Sequence, residues 1–565
     1  MQITYGALHE AYKIAGRKRI RADIKTAPHS IDLMAGQSDF AAFNVFVSVD
    51  DAFSLHVGEH AWFTQRGDVP TVRLACDLPV HAELYHEQTH RIHLPFEYAD
   101  ALLPIDAKEY DRGDVGGVYV ILRTDVRTAP GVYHGKIRLY LSRVTEAETL
   151  VGEIDVTLTV TACRVRSGRD TGFYLDLWQH PSNIARHADV RLWSREHFSI
   201  LEPYLRSLSA LGQRALTLVV SEIPWSGQNC VEYSESGSNL FEFSIIPVRK
   251  HKDGTFSYDF SIMQTYIDIA ASCGIRDELS LYGLVGVWTH GIFEKVAEDY
   301  PDGVRVRYLD ECTGGYDYMR SADEIDAYVR ALEAYFIRTG QIDRVRVAAD
   351  EPSDIQAFRK SLEHLHAIAP SFKFKAAINH VEFIEEFGEN FYDFVPYLGC
   401  ARDKLDVLQR FKRTMPGKRF LWYTCCGPDR PNYFLDSDLL EAYLIGILTH
   451  AYGLDGYLRW SYTVWTRDPM RDASYTYWRA GDMYIVYPGA NGKPILSLRY
   501  YAIMRAIQLY GLLKSYRRRY GKRRTDALIR PIFGTDDVRA YDRCFSTDYA
   551  AYDTLRRTLL TELSK

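Results

Sequence analysis

Apolar and polar positions alternate with a period of two over residues 42–49, 71–76, 117–122, 135–141 and 153–161. That is the spacing at which a strand sends successive side chains to opposite faces. Turn formers such as Ala129-Pro130-Gly131 separate these stretches. Residues 1–165 are therefore predicted to form an N-terminal β-sandwich. They gather no cluster of acids, bases or metal ligands, so a structural or accessory role is expected of them.

From about residue 170 the pattern changes, and strand-like runs alternate with amphipathic ones of helical period. Strands are predicted at 173–178, 214–220, 279–284, 344–349, 372–378, 419–424 and 456–460, with a weaker one at 391–395. Helices are predicted over 194–211, 262–273, 322–338, 355–368 and 437–451, and a hairpin around Lys252-Asp253-Gly254. About eight strand–helix units predict a (β/α)8 TIM-type barrel over 166–510. The alternative is an open doubly wound sheet, but no G-x-G-x-x-G marks a dinucleotide turn. Helical pattern over 496–516 and 548–563 leaves 511–565 as a C-terminal helical segment packed on the barrel. The expected fold is thus multidomain, an N-terminal β-sandwich followed by the barrel and C-terminal helices, which suits a chain of 565 residues.

Composition narrows the functional classes. With 68 basic and 74 acidic residues the net charge is −6, which argues against nucleic acid as a partner. The short basic run Arg517-Arg518-Arg519 to Lys522-Arg523-Arg524 reads as a solvated helix end. Aromatic residues reach 13%, with 40 Tyr and 9 Trp, a modest pointer to carbohydrate, because flat rings stack on the C–H faces of sugars and also serve cores. The nine cysteines contain no C-x-x-C pair and no zinc spacing, so no metal or other cofactor is expected. An odd cysteine count, no apolar run long enough to span a membrane and no basic-then-apolar start suggest a cytoplasmic protein with no membrane partner.

Barrel enzymes carry their reacting groups at the C-terminal ends of strands. The predicted strand ends read Asp176-Leu177-Trp178-Gln179-His180, Ala348-Ala349-Asp350-Glu351-Pro352, Ala377-Ile378-Asn379-His380, Trp422-Tyr423-Thr424-Cys425-Cys426 and Leu458-Arg459-Trp460-Ser461-Tyr462, with Trp465 soon after. An apolar strand that runs into two carboxylates is costly unless they are used or paired. Pro352 has no N–H for the sheet and should release Glu351 into the cleft, with Ser353 as the cap of the next helix. Two acids that merely favour a helix dipole are the plainer alternative. Adjacency limits the mechanism: glycosidase carboxylates usually flank the scissile bond, about 5–5.5 Å apart when retaining and 6.5–9.5 Å when inverting. Consecutive residues cannot easily do so. Substrate assistance removes the conflict, since a 2-acetamido oxygen attacks its own anomeric carbon and the enzyme supplies no nucleophile.

With those residues in view, the chain resembles glycoside hydrolase family 123, the β-N-acetylgalactosaminidases and their relatives. The likeness runs through Leu175-Asp176-Leu177-Trp178-Gln179-His180-Pro181, Pro224-Trp225 with Gln228, Asp350-Glu351-Pro352, Tyr423-Thr424-Cys425-Cys426-Gly427-Pro428, Pro431-Asn432, Asp455-Gly456-Tyr457-Leu458-Arg459-Trp460, and Gly481-Asp482 to Tyr487-Pro488-Gly489. It covers roughly residues 170–510. The resemblance implies retaining, substrate-assisted removal of a β-linked N-acetylgalactosamine from an oligosaccharide or glycoconjugate. It makes Glu351 the general acid/base and Asp350 the holder of the acetamide. Tyr423 is expected at the acetamido oxygen. Trp178, Trp225, Trp422, Trp460 and Trp465 are expected as sugar platforms or walls, and His180, Gln228 and Asn379 as partners of sugar hydroxyls. The sequence departs from the family pattern near Leu509 and Gly511, where acidic residues are usual. Two rival readings are a glycosidase of the same barrel acting on a sugar without the 2-acetamido group, with Asp176 or Glu222 as nucleophile, and a non-catalytic carbohydrate-binding protein.

Overall fold

The computed structural model describes residues 2–58, 69–78, 80–93, 96–225, 239–289, 293–475 and 477–565. The N-terminal part is the expected pair of facing sheets. One has five strands in the order Ile3–His9, Phe40–Val49, Val115–Arg123, His81–His93, Phe96–Leu103; the other has six, in the order Ser30–Gln37, Thr149–Arg164, Gly131–Ser142, Thr71–Asp77, Phe53–Val57, Ala107–Tyr110. Strand Phe40–Val49 shows why its sequence is almost continuously apolar. Phe43, Val45 and Val47 enter the core between the sheets, while Phe40, Ala42 and Phe46 join the core shared with the rest of the chain. A strand covered on both faces has no solvent side to make polar.

Eight parallel strands follow: β1 (Tyr174–Leu177), β2 (Ala215–Val219), β3 (Glu278–Tyr282), β4 (Val345–Asp350), β5 (Lys373–Ile378), β6 (Asp393–Pro396), β7 (Arg419–Tyr423) and β8 (Gly456–Arg459). They form a nearly closed barrel ordered β1-β8-β7-β6-β5-β4-β3-β2. Between β1 and β2 the ladder shrinks to one bridge, Leu175 to Gln213, and side-chain amides complete the seam. Gln213 Oε1 accepts from Leu177 N at 2.9 Å, and Gln179 Oε1 accepts from Thr217 N at 2.8 Å.

The barrel interior holds an ionic stack. Lys375 Nζ donates to Asp176 and, at 2.8 Å, to Glu278; Arg419 bridges Glu278 at 3.0 Å and Asp393 at 2.6 Å; Arg346 reaches Asp393 at 3.2 Å. Fully buried charges persist only when paired and hydrogen-bonded.

Helices Leu498–Tyr520, Lys522–Phe533 and Tyr549–Leu563 end the chain. The first is buried along most of its length, including Leu509 and Gly511, so the departure from the family pattern falls in a tight contact: a Cβ at Gly511 would meet Thr171 at 3.1 Å. These helices bind the sandwich to the barrel through buried ion pairs. Arg499 Nε meets Asp100 at 2.9 Å, Arg505 meets Glu10 at 2.8 Å and Asp39 at 3.4 Å, and Arg556 meets Asp39 at 2.6 Å.

Candidate active site

At the C-terminal ends of the strands a pocket of about 170 Å³ is lined by Trp178, Trp225, Trp288, Asp350, Glu351, Ala377, Tyr423, Cys425, Cys426, Leu458, Trp460 and Trp478. Five of the chain's nine tryptophans thus wall one small space. Asp350 and Glu351 are its only acids among the described lining residues.

The backbone sets the two carboxylates apart. Asp350 is the last residue of β4, in register with Ala377 of β5. Glu351 N still donates to Ala377 O at 3.1 Å, but its φ is +43°. For a side chain with a Cβ this left-handed conformation costs about 1–3 kcal/mol and is typical of functional positions. Pro352 ends the ladder as expected. The helix Ile355–Ile368 is capped by Asp354 rather than Ser353: the Asp354 carboxylate accepts from Gln356 N at 2.8 Å and Ala357 N at 2.9 Å. Its longer side chain reaches both free amides of the first turn.

Each carboxylate has its own partners. Trp225 Nε1 donates to Asp350 Oδ2 at 3.0 Å. Glu351 accepts from the Tyr423 hydroxyl at Oε1 and from Asn379 Nδ2 at 3.1 Å at Oε2. Burial pushes Asp350 up to about 7, with the neighbouring Glu351 charge adding to the rise and the indoles of Trp225 and Trp288 opposing it. Burial also raises Glu351; the Tyr423 hydroxyl and the His380 charge oppose this, and Asp482 adds to it. Neighbouring acids in a desolvated site titrate as a pair, and near neutral pH this pair readily holds one proton.

Not every expected residue reaches the pocket. Trp422 points outward from β7 and donates to Thr449 Oγ1 at 2.7 Å; Trp465 is buried against Tyr204 and His187 and donates to Val486 O at 2.7 Å. Neither lines the pocket, and both are core residues. Gln228 lies outside the described residues. His180 sits behind the lining, fully buried, 4.8 Å from the Trp225 ring and 6.2 Å from Trp460. Burial pushes it down to about 3, so it is a neutral wedge between two indoles.

Trp288, Trp478, Asp482 and the two cysteines were not predicted as site residues. Asp482 accepts from Trp460 Nε1 at 3.1 Å and from Arg459 at 2.6 Å, fixing the indole plane. The candidate nucleophiles of the rival reading are engaged elsewhere. Asp176 belongs to the ionic stack, and Glu222 is held by Tyr318 at 2.5 Å and Arg307 at 2.7 Å in a separate cleft.

Comparison with known proteins bears on the family and the fold. The family model described as glycoside hydrolase 123, catalytic domain, matches residues 178–516. A family 123 glycoside hydrolase from Clostridium perfringens, whose structure addresses glycolipid glycan hydrolysis, superposes with a TM-score of 0.77 at 17% identity, covering 100% of this chain and 97% of that one. At that identity the likeness concerns the fold. An α-amylase from Lactobacillus plantarum (14% identity, 61% and 80% covered) and a β-D-glucuronidase from Dictyoglomus thermophilum (8%, 82% and 89%) each reach a TM-score of 0.31. A comparison with curated protein sequences finds no match.

Proposed function

The chain belongs to glycoside hydrolase family 123, and on that premise we propose that it removes a terminal β-linked 2-acetamido sugar, N-acetylgalactosamine by preference, by retaining, substrate-assisted catalysis. The observation that carries the reading is the lone acid pair: Asp350 and Glu351 are adjacent, and no other described acid lines the pocket. A protein nucleophile would need a second carboxylate about 5–5.5 Å from the acid across the sugar.

In the proposed reaction the acetamide N–H donates to Asp350. That donation favours the Asp350 carboxylate and so leaves the shared proton on Glu351. The acetamido oxygen then bonds to the anomeric carbon as the glycosidic C–O bond breaks, and Glu351 gives its proton to the leaving oxygen. Asp350 stabilises the positive charge of the oxazolinium-like intermediate or takes its N–H proton. Glu351, now a base held by Tyr423 and Asn379, deprotonates a water that opens the ring at the anomeric carbon. Two displacements retain configuration. The pocket volume is below the roughly 300–1,000 Å³ of drug-sized sites, which suits one sugar ring and supports exo-action. Among the described residues no helix is long and apolar enough to cross a membrane.

The test compares an aryl β-N-acetylgalactosaminide with the matching β-galactoside. Hydrolysis should require the acetamide; equal turnover of both would sink the reading. Glu351→Gln should lower kcat/KM, which reads the step that expels the aglycone, by about 10²–10⁴ on a poor leaving group and by much less on a nitrophenyl one.

A further inference from the structure

Cys425 and Cys426 leave the end of β7 just beyond Tyr423, and both line the catalytic pocket. Their Sγ atoms are 3.8 Å apart. The backbone beneath them is pinned: Cys425 N donates to Gly427 O at 3.0 Å, and Asn432 Nδ2 donates to Cys425 O at 3.0 Å. Asn432 is held in turn by Arg459, whose guanidinium reaches Asn432 Oδ1 at 2.8 Å. The backbone that carries both thiols is therefore fixed, and the two residues form part of the same pocket wall as the acids' other neighbours.

A disulfide does not suit this pair. A disulfide needs sulfurs about 2.05 Å apart and Cα atoms usually 4.4–6.8 Å apart, whereas consecutive Cα atoms across a trans peptide are about 3.8 Å apart. The pair is a dithiol whose sulfurs stand within S–H···S hydrogen-bonding distance, with either able to donate. A thiolate formed on either sulfur would be stabilised by the S–H of the other. Cys426 is the more exposed of the two. One accessible sulfur with a second sulfur beside it is a two-toothed soft ligand.

We propose that Cys425 and Cys426 form a binding site for thiophilic species with two open valences, trivalent arsenicals above all, and that capture there blocks the catalytic pocket. A monosubstituted arsine oxide condenses with both thiols. Two As–S bonds form, two S–H bonds break, and the oxide oxygen leaves with both protons as one water, with no change of oxidation state. The bound group would stand beside Glu351 and Tyr423 in the space proposed for the sugar. The effect on rate rests on the proposed function; capture itself does not.

The experiment incubates the full chain with phenylarsine oxide and reads intact mass and aryl glycoside turnover in parallel, each variant against its own untreated rate. The expected result is one adduct per chain at stoichiometric reagent and at least a tenfold loss of turnover. Dimercaptopropanol should reverse it and a monothiol at equal thiol concentration should not. Cys425→Ser and Cys426→Ser should each abolish the stoichiometric adduct. Excess N-acetylgalactosamine should slow adduct formation on the unaltered chain, a readout that holds even if a variant misfolds. No adduct, or an adduct that persists in Cys426→Ser, overturns the site. An adduct on this pair that leaves turnover unchanged overturns the blockade and counts against the pocket as the place of catalysis.

Discussion

Trp225→Phe removes one hydrogen bond and leaves most of a wall. The Trp225 ring packs 5.7 Å from Trp178, 5.3 Å from Tyr282 and 4.8 Å from His180, and a phenyl ring keeps most of that contact. What disappears is the N–H given to Asp350 at 3.0 Å. A hydrogen bond to a charged group contributes about 1.5–3 kcal/mol, and 1.36 kcal/mol corresponds to one pKa unit. Because the bond favours the carboxylate, its loss raises the pKa of Asp350 by about 1–2. On the proposed mechanism Asp350 must be ionised, so the acid limb of kcat/KM moves to higher pH by that amount. At a pH well below the limb the variant is about 10- to 100-fold slower, and the alkaline plateau changes far less. The assay is a pH–rate profile on an aryl glycoside with a good leaving group, which relieves the demand on Glu351 as acid. An acid limb that stays in place, or moves to lower pH, refutes the assignment of Asp350 as the ionised partner.

Two further outcomes follow from the buried charges. Asp350→Asn should abolish most activity yet raise Tm at pH 8: the folded carboxyl holds its proton up to about pH 7 while the unfolded one releases it near 3.8, so folded stability falls as pH rises through that window. The gain should vanish by pH 4, and a Tm difference independent of pH would contradict it. Lys375→Met leaves Asp176 and Glu278 without their shared cation, a loss of about 3–5 kcal/mol that denaturant unfolding should register as a lower midpoint; an unchanged midpoint would remove the stack from the account of stability.

Much of this was legible in the residues. Helices Ala322–Arg338 and Ile355–Ile368 coincide with their apolar period, and even the weak strand appears, as Asp393–Pro396. The acid pair declared itself because an apolar strand ended on it. The tryptophans divide for physical reasons. Trp178 lies two residues past Asp176, on the inward face of β1, whereas Trp422 alternates with inward-facing Tyr423 and so must face the helix Leu439–Tyr452; period-two reasoning along β7 could have excluded it. Trp288 and Trp478 sit in irregular segments beyond β3 and β8, where no period indicates direction. Asp482 carries no local signal of its role, because its pairing with Arg459 and Trp460 joins segments 22 or 23 residues apart.

The buried pairs Arg499–Asp100, Arg505–Glu10 and Arg556–Asp39 also bear on descent. Each places its cation in the C-terminal helices and its anion in the sandwich, 399 to 517 residues apart in sequence. A recombination that exchanged one end for an unrelated sequence would strand three guanidiniums or their carboxylates without counterions. Such a chain would be lost to selection before its catalytic pocket was ever tried. The sandwich and the last helices are therefore expected to travel through evolution as one inherited unit, with the barrel carried between them.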